Sequence, residues 1–148
     1  MKKNSFNLVI LLIIAISFSS CSTEENVYTI KKRIKNTSNQ SLELLLIGYS
    51  NDTIVNQILL PQSSTPEFSY TSNINDIMGW GDIASKIKVR FLNNNTGYEC
   101  NVENTGNMCF TTKGSPFDSR NPQDYILDDN IYTYEITQED YENAHVLP

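Results

Sequence analysis

Alanine almost disappears from the chain after its first 21 residues: from Ser22 onward only Ala84 and Ala144 remain. Helical bundles depend on good helix formers, alanine first among them, so that fold class is excluded at once. Basic charge is short as well. Without Lys2 and Lys3 there are 9 Lys and Arg against 17 Asp and Glu, a net charge of -8, where the full 148 residues carry -6. Nucleic-acid affinity comes from clustered cations, and the single basic run, Lys31, Lys32, Arg33 and Lys35, does not outweigh the carboxylates. Histidine occurs once, at His145, four residues from the end. A serine or cysteine nucleophile would therefore lack a base, and no Gly-rich phosphate loop follows a strand. Neither an enzymatic activity nor a cofactor is expected.

Tyr, Ile, Val, Thr and Phe are plentiful instead, and Asn fills 18 positions, a composition of strands joined by turns. From Ser22 onward 45 of 127 residues are apolar, which supplies one core, so residues 27–148 are read as a single domain.

The segment before that domain has the order of a secretory signal: Lys2 and Lys3, then an apolar run from Leu8 to Phe18, then small residues. Eleven residues are too few to span a bilayer. Phe18-Ser19-Ser20-Cys21 resembles the bacterial lipobox, with Phe18 where Leu is usual. That resemblance implies a signal peptide over 1–20 and lipidation of Cys21, palmitate included. Several acyl chains would anchor far more firmly than one. Residues 21–26, polar and acidic, are expected to form a flexible tether, similar to the tag that directs lipoproteins of Bacteroidota to the outer face of the outer membrane. The expected location is thus the outer membrane, on its periplasmic face or at the cell surface.

With Cys21 assigned to lipid, Cys100 and Cys109 remain as a pair. Tyr98–Thr112 reads as a hairpin around Glu103–Gly106, in a register where facing residue numbers sum to 209, so Cys100 faces Cys109 and a disulfide is expected. A C-x8-C pair with one histidine is not a zinc site.

Strands are expected over 27–35, 41–49, 53–60, a short piece from Pro66, 86–92, the hairpin, and 130–137. Lys32 falls on the apolar face of the first, which suits an edge strand protected by inward charge. Ser41–Tyr49 is apolar nearly throughout and belongs mid-sheet. Residues 72–85 and 113–129 read as long loops. Thr137 is placed to cap a short helix over Gln138–Ala144, with Glu139 and Asp140 in its first turn. Seven or eight strands without a βαβ rhythm predict an antiparallel β-sandwich, immunoglobulin-like or transthyretin-like, with a small open barrel as the alternative.

Few residues suggest chemistry. Trp80, between two glycines and beside Met78 and Asp82, is either a core plug at one end of the sandwich or an exposed platform for a sugar or peptide. Phe117 and Tyr125 would share that ligand surface. Asp124, Asp128 and Asp129, with Asp118 and Asn130, could offer oxygen ligands to Ca²⁺ but lack the Gly-turned spacing of a dedicated loop. Paired carboxylates among them could also act on a glycoside. Asp52-Thr53-Ile54 resembles the signal for O-glycosylation in envelope proteins of Bacteroidota, at Thr53. The basic run could meet anionic lipid near the tether or be a solvated face.

Taken with the lipobox, the strand Tyr28-Thr29-Ile30 leading to Asn36-Thr37-Ser38, the cysteine hairpin, Ser115-Pro116-Phe117 and the ending from Ile131 to Ala144 are similar to the small lipoproteins of Bacteroidota. The resemblance implies an envelope location and brings no activity with it. The expectation is a non-enzymatic envelope lipoprotein that presents loops 72–85 and 113–129 to a protein or glycan. The alternative is a structural or accessory subunit docking through the edge strand 27–35, and a glycoside-active enzyme is the distant third.

Overall fold

The computed structural model describes residues 27–73, 79–103, 108–118 and 122–148. The signal segment, Cys21, the tether, Met78 and part of the hairpin loop lie outside them. Among the described residues nine strands form two sheets. The four-stranded sheet has the order β4 (Phe68–Ser72), β1 (Tyr28–Asn36), β8 (Ile131–Ile136), β7 (Tyr125–Asp128). The five-stranded sheet has the order β3 (Thr53–Leu59), β2 (Leu42–Ile47), β5 (Lys86–Phe91), β6 (Thr96–Asn101), β9 (His145–Val146). A 3₁₀ turn covers Pro122–Asp124, and a short helix, α1, covers Gln138–Glu142. The sheets face each other as a sandwich and do not close into a barrel.

Period-2 alternation builds the core. Ile30 and Ile34 of β1, Leu42, Leu44 and Leu46 of β2, Ile87, Val89 and Phe91 of β5, and Tyr134 and Ile136 of β8 are all buried between the layers. Leu45 and Ile47, on the other face of β2, are half-buried, as expected of a sheet covered on one side. Asn36 fastens the layers at the end of β1. Its amide donates to Gln40 O at 2.7 Å and to Leu59 O of β3 at 3.0 Å, and its Oδ1 accepts from the Ser38 N–H and hydroxyl.

Three expectations need correction. First, β1 is not an edge strand: it pairs antiparallel with β4 and parallel with β8, from Lys31↔Ile131 to Asn36↔Ile136, which makes this sheet mixed. Lys32 is inward because an aromatic pocket holds it, and it guards no open edge. Docking through strand 27–35 is therefore confined to Tyr28–Ile30, which β8 does not reach; from Lys31 onward that side of β1 is taken. Second, residues 113–129 are not all loop, since Tyr125–Asp128 forms β7 and Asp129-Asn130 turns it into β8. Both turn residues have positive φ, 45° and 65°, the backbone a two-residue hairpin requires and Asp and Asn tolerate. Third, the arm after the cysteine loop is not a strand. Among the described residues it returns to β6 through one backbone bond, Glu99 N–H to Met108 O at 2.8 Å, and the outer edge of β6 is taken instead by β9.

The disulfide itself forms, with Cys100 and Cys109 Cα atoms 4.6 Å apart. Closing so short a loop restricts the unfolded chain, and Cys100 is buried against the core. Reduction, or Cys100→Ala with Cys109→Ala, is expected to lower stability by about 2 to 3 kcal/mol. Urea unfolding with and without reductant measures it, and an unchanged midpoint would show that the bridge is dispensable.

Candidate functional site

The two connections expected to carry function meet at one end of the sandwich. Residues 79–85 wrap on themselves, the N–H groups of Ile83 and Ala84 both reaching Trp80 O. Trp80 N–H donates to Pro116 O at 2.9 Å, which ties this turn to the 113–118 segment. Gly79 makes the approach feasible: its φ is +62°, and a Cβ there would sit 2.8 Å from Phe117 O.

Trp80 is 0 % exposed and stands edge-on to Phe68, ring centroids 5.6 Å apart. It is the core plug, and the platform reading fails for it. Tyr125 is buried too, its hydroxyl donating to Pro116 O at 2.6 Å and its ring edge-on to Tyr134. Phe117 is half-buried against the core cluster. Of the proposed ligand surface, Trp80 and Tyr125 thus line an interior seam that meets at Pro116 O, with Phe117 half-buried next to it, because large aromatics gain more from burial than from water.

Lys32 lies beneath that seam with no exposed side-chain surface. Its Nζ donates to Gly79 O, approaches Asp82 Oδ2 at 3.5 Å and lies 4.1 Å from the Tyr70 ring centroid. Burial pulls its pKa down from 10.5 to about 8, against the opposing pull of Asp82. The ammonium thus stitches β1 to the 79–85 turn.

What is exposed at this end is Tyr49, at the tip after β2, with 63 % of its surface free. Its hydroxyl donates to Gly81 O at 2.7 Å, which fixes the ring while leaving a face open. Val102, just past β6 and partly exposed, is the other close neighbour of Gly81, and Asp82 follows on the same turn. Tyr49, Gly81, Asp82 and Val102 come from the connections after β2, before β5 and after β6, and lie together at this end. Reading Tyr49 as the last residue of a strand missed it, although Ser50-Asn51-Asp52 directly after it marks a turn.

The aspartates do not converge. Asp124 accepts from the Gly114 N–H, Asp128 faces Arg33 at 3.8 Å, and Asp129 belongs to the β7–β8 turn. Among the described residues no three His, Cys, Asp or Glu side chains gather. The basic run is divided by strand alternation: Lys32 is inside, Lys31 pairs with Glu67, and Arg33 donates to the Thr133 hydroxyl. Thr53 is exposed at the start of β3. His145 is structural, its Nε2 3.1 Å from Cys109 O and its ring edge-on to Tyr98. On the outer face of the five-stranded sheet Glu99 bridges Lys86 and Lys88; burial pushes its carboxyl up, but those two ammoniums hold it below its ordinary value.

Fold and site together define a small two-sheet β-sandwich with an aromatic-bearing surface at one end. No family model, curated protein or solved structure matches the chain.

Proposed function

We propose that the chain is a lipid-anchored envelope protein that binds a protein or glycan partner, non-enzymatically, through the end of the sandwich where Tyr49, Gly81, Asp82 and Val102 lie together. The observation that carries the binding role is Tyr49: an exposed aromatic ring held by its own hydroxyl to Gly81 O, on the turn that begins at the buried Trp80. Such a ring needs little further ordering to stack on a sugar or a peptide side chain. The anchor rests on the Lys-apolar-Ser-Ser-Cys21 order of the first 21 residues, and the disulfide fits an oxidising compartment. O-glycosylation at the exposed Thr53 belongs to the same reading.

Palmitate labelling tests the anchor; loss of label in Cys21→Ala supports it, and an unlabelled chain free in the cytosol overturns it. Protease shaving of intact cells then distinguishes the two faces of the outer membrane. Partner capture from detergent-solubilised envelopes tests the surface. Tyr49→Ala is expected to reduce capture at least about tenfold, the scale of an aromatic anchor, with less than about 0.5 kcal/mol change in stability because the ring is mostly solvated. Equal capture by the parent chain and Tyr49→Ala would remove this surface from the proposal.

A further inference from the structure

Lys32 grips the 79–85 turn on both sides of the carbonyl that holds Tyr49. Its Nζ donates to Gly79 O and lies 3.5 Å from Asp82 Oδ2, while Gly81 O between them accepts from the Tyr49 hydroxyl at 2.7 Å. A buried charge and an exposed ring thus share one short turn.

The two ends of that turn are fixed by the backbone. Trp80 N–H is bound to Pro116 O, Ile83 and Ala84 donate to Trp80 O, and Ser85 reaches back to β2, its N–H to Ile47 O and its hydroxyl to Gly48 O at 2.8 Å. The stretch between is different. Among the described residues neither Gly81 nor Asp82 enters a backbone–backbone hydrogen bond. Two side chains hold it instead, Lys32 from inside and Tyr49 from outside.

We infer that Lys32 is the positioning residue of the Tyr49 surface: its ammonium fixes Gly79 and Asp82 so that Gly81 O meets the Tyr49 hydroxyl, and loss of the charge releases the ring. The inference rests on the reading of that surface as a binding site and adds a control over it.

Only the charged form holds firmly. Hydrogen bonds from an ammonium are roughly twice as strong as neutral ones, and the attraction to the Asp82 carboxylate exists for the ammonium alone. Asp82 is the one carboxylate paired with Lys32 among the described residues; the other groups facing it are the rings of Tyr70 on β4 and Trp80, with Tyr132 alongside on β8. A single, partly exposed counter-charge does not offset complete burial of the ammonium, and Lys32 loses its proton near pH 8. The surface is therefore firm at neutral pH and slack in alkali.

This slackening differs from unfolding in sign. Neutral Lys32 no longer suffers from burial, so the stability of the whole fold rises between about pH 8 and 10.5 while the turn loosens over the same range.

The test follows the full chain in detergent by ¹³C NMR between pH 7 and 9.5, reading Lys32 Cε, Gly81 Cα and the Tyr49 ring carbons, which Tyr49→Phe assigns. All three are expected to titrate together, with a midpoint near pH 8. Lys32→Met should abolish the titration at Gly81 and Tyr49 and leave both signals where the alkaline parent has them. Asp82→Asn removes the upward pull on Lys32 and should move the shared midpoint down by about one pH unit. These readings need no partner: capture that ignores Tyr49 while the signals titrate together would sink the binding reading and support the coupling. Gly81 and Tyr49 signals that stay flat while Lys32 titrates would overturn the inference, as would an unchanged titration in Lys32→Met. Should Lys32→Met not fold, Asp82→Asn decides, since an unmoved midpoint there means that Lys32 does not hold the turn.

Discussion

Trp80→Ala is expected to cost about 3 to 5 kcal/mol of stability, the range for emptying a fully buried large aromatic site. A domain of this size holds roughly 5 to 15 kcal/mol in all, so the variant should be close to unfolding at physiological temperature. The indole is edge-on to Phe68 and closes the aromatic pocket over Lys32, 5.9 Å from the lysine Nζ. Among the described residues its Nε1 has no acceptor, so Trp80→Phe loses volume and none of the hydrogen bonds described, and should cost clearly less. A second readout separates plugging from mere bulk. Because the Lys32 pKa falls to about 8 in the fold from an ordinary 10.5, the unfolded chain binds more protons between those values, and parental stability should rise with pH through that window. Opening the pocket to water in Trp80→Ala lets Lys32 recover its ordinary pKa and flattens that rise. Urea titrations at pH 7 and 9.5 measure both effects; a loss below about 1 kcal/mol would mark the ring as a surface group.

The same residue shows where the sequence was legible and where it was not. Alternation in β1 and β5 is a local property, and it gave the inward faces, Lys32 included, from residue order alone; β2, apolar on both faces, was legible only as a mid-sheet strand. The cysteine pair and the Thr137 cap are local too: the Thr137 hydroxyl accepts from Asp140 N–H and the Asp140 carboxylate from Thr137 N–H, a capping box three residues long. What stayed hidden depends on distant partners. An inward lysine looks alike on a guarded edge and over a buried aromatic, and only the parallel approach of β8, about a hundred residues away in sequence, makes β1 central. Trp80 between two glycines fits a platform as well as a plug until Phe117 O is found 2.8 Å from where a Gly79 Cβ would stand. Of the candidate surface, the 79–85 turn was legible as a loop, whereas Tyr49 was not, since its exposure arises from the meeting of three connections. The Asp129-Asn130 turn was readable in principle, two left-handed-tolerant residues between Tyr125–Asp128 and Ile131–Ile136, but the strand before it is only four residues long.

Asp140→Ala is expected to destabilise the fold by about 3 to 5 kcal/mol, because it strands a buried ammonium. The Asp140 side chain is 1 % exposed and its Oδ2 receives three donors: Lys113 Nζ at 2.6 Å, the Thr137 N–H at 2.7 Å and the Thr137 hydroxyl at 3.0 Å. The Thr112 hydroxyl reaches Oδ1 at 3.1 Å. Lys113 also donates to Glu135 O and lies against the rings of Tyr134 and Phe110, 4.4 and 4.8 Å from their centroids. Burial lowers its pKa, with Asp140, Asp124 and Glu135 pulling the other way. The pair therefore joins the segment after the disulfide to β8 and to the start of α1, and Tyr98 reaches the same turn by donating to Asp140 O at 2.6 Å. Asp140→Asn retains an acceptor for the cap but removes the counter-charge, so its cost should fall between the parent and Asp140→Ala. Lys113→Met alone leaves a buried carboxylate and should also be costly, whereas Lys113→Met combined with Asp140→Asn removes both charges. The double variant should lose less than the two single losses together, by about 1 to 3 kcal/mol. Strict additivity in urea unfolding would mean that the two charges act separately, and that the helix cap alone accounts for the burial of Asp140.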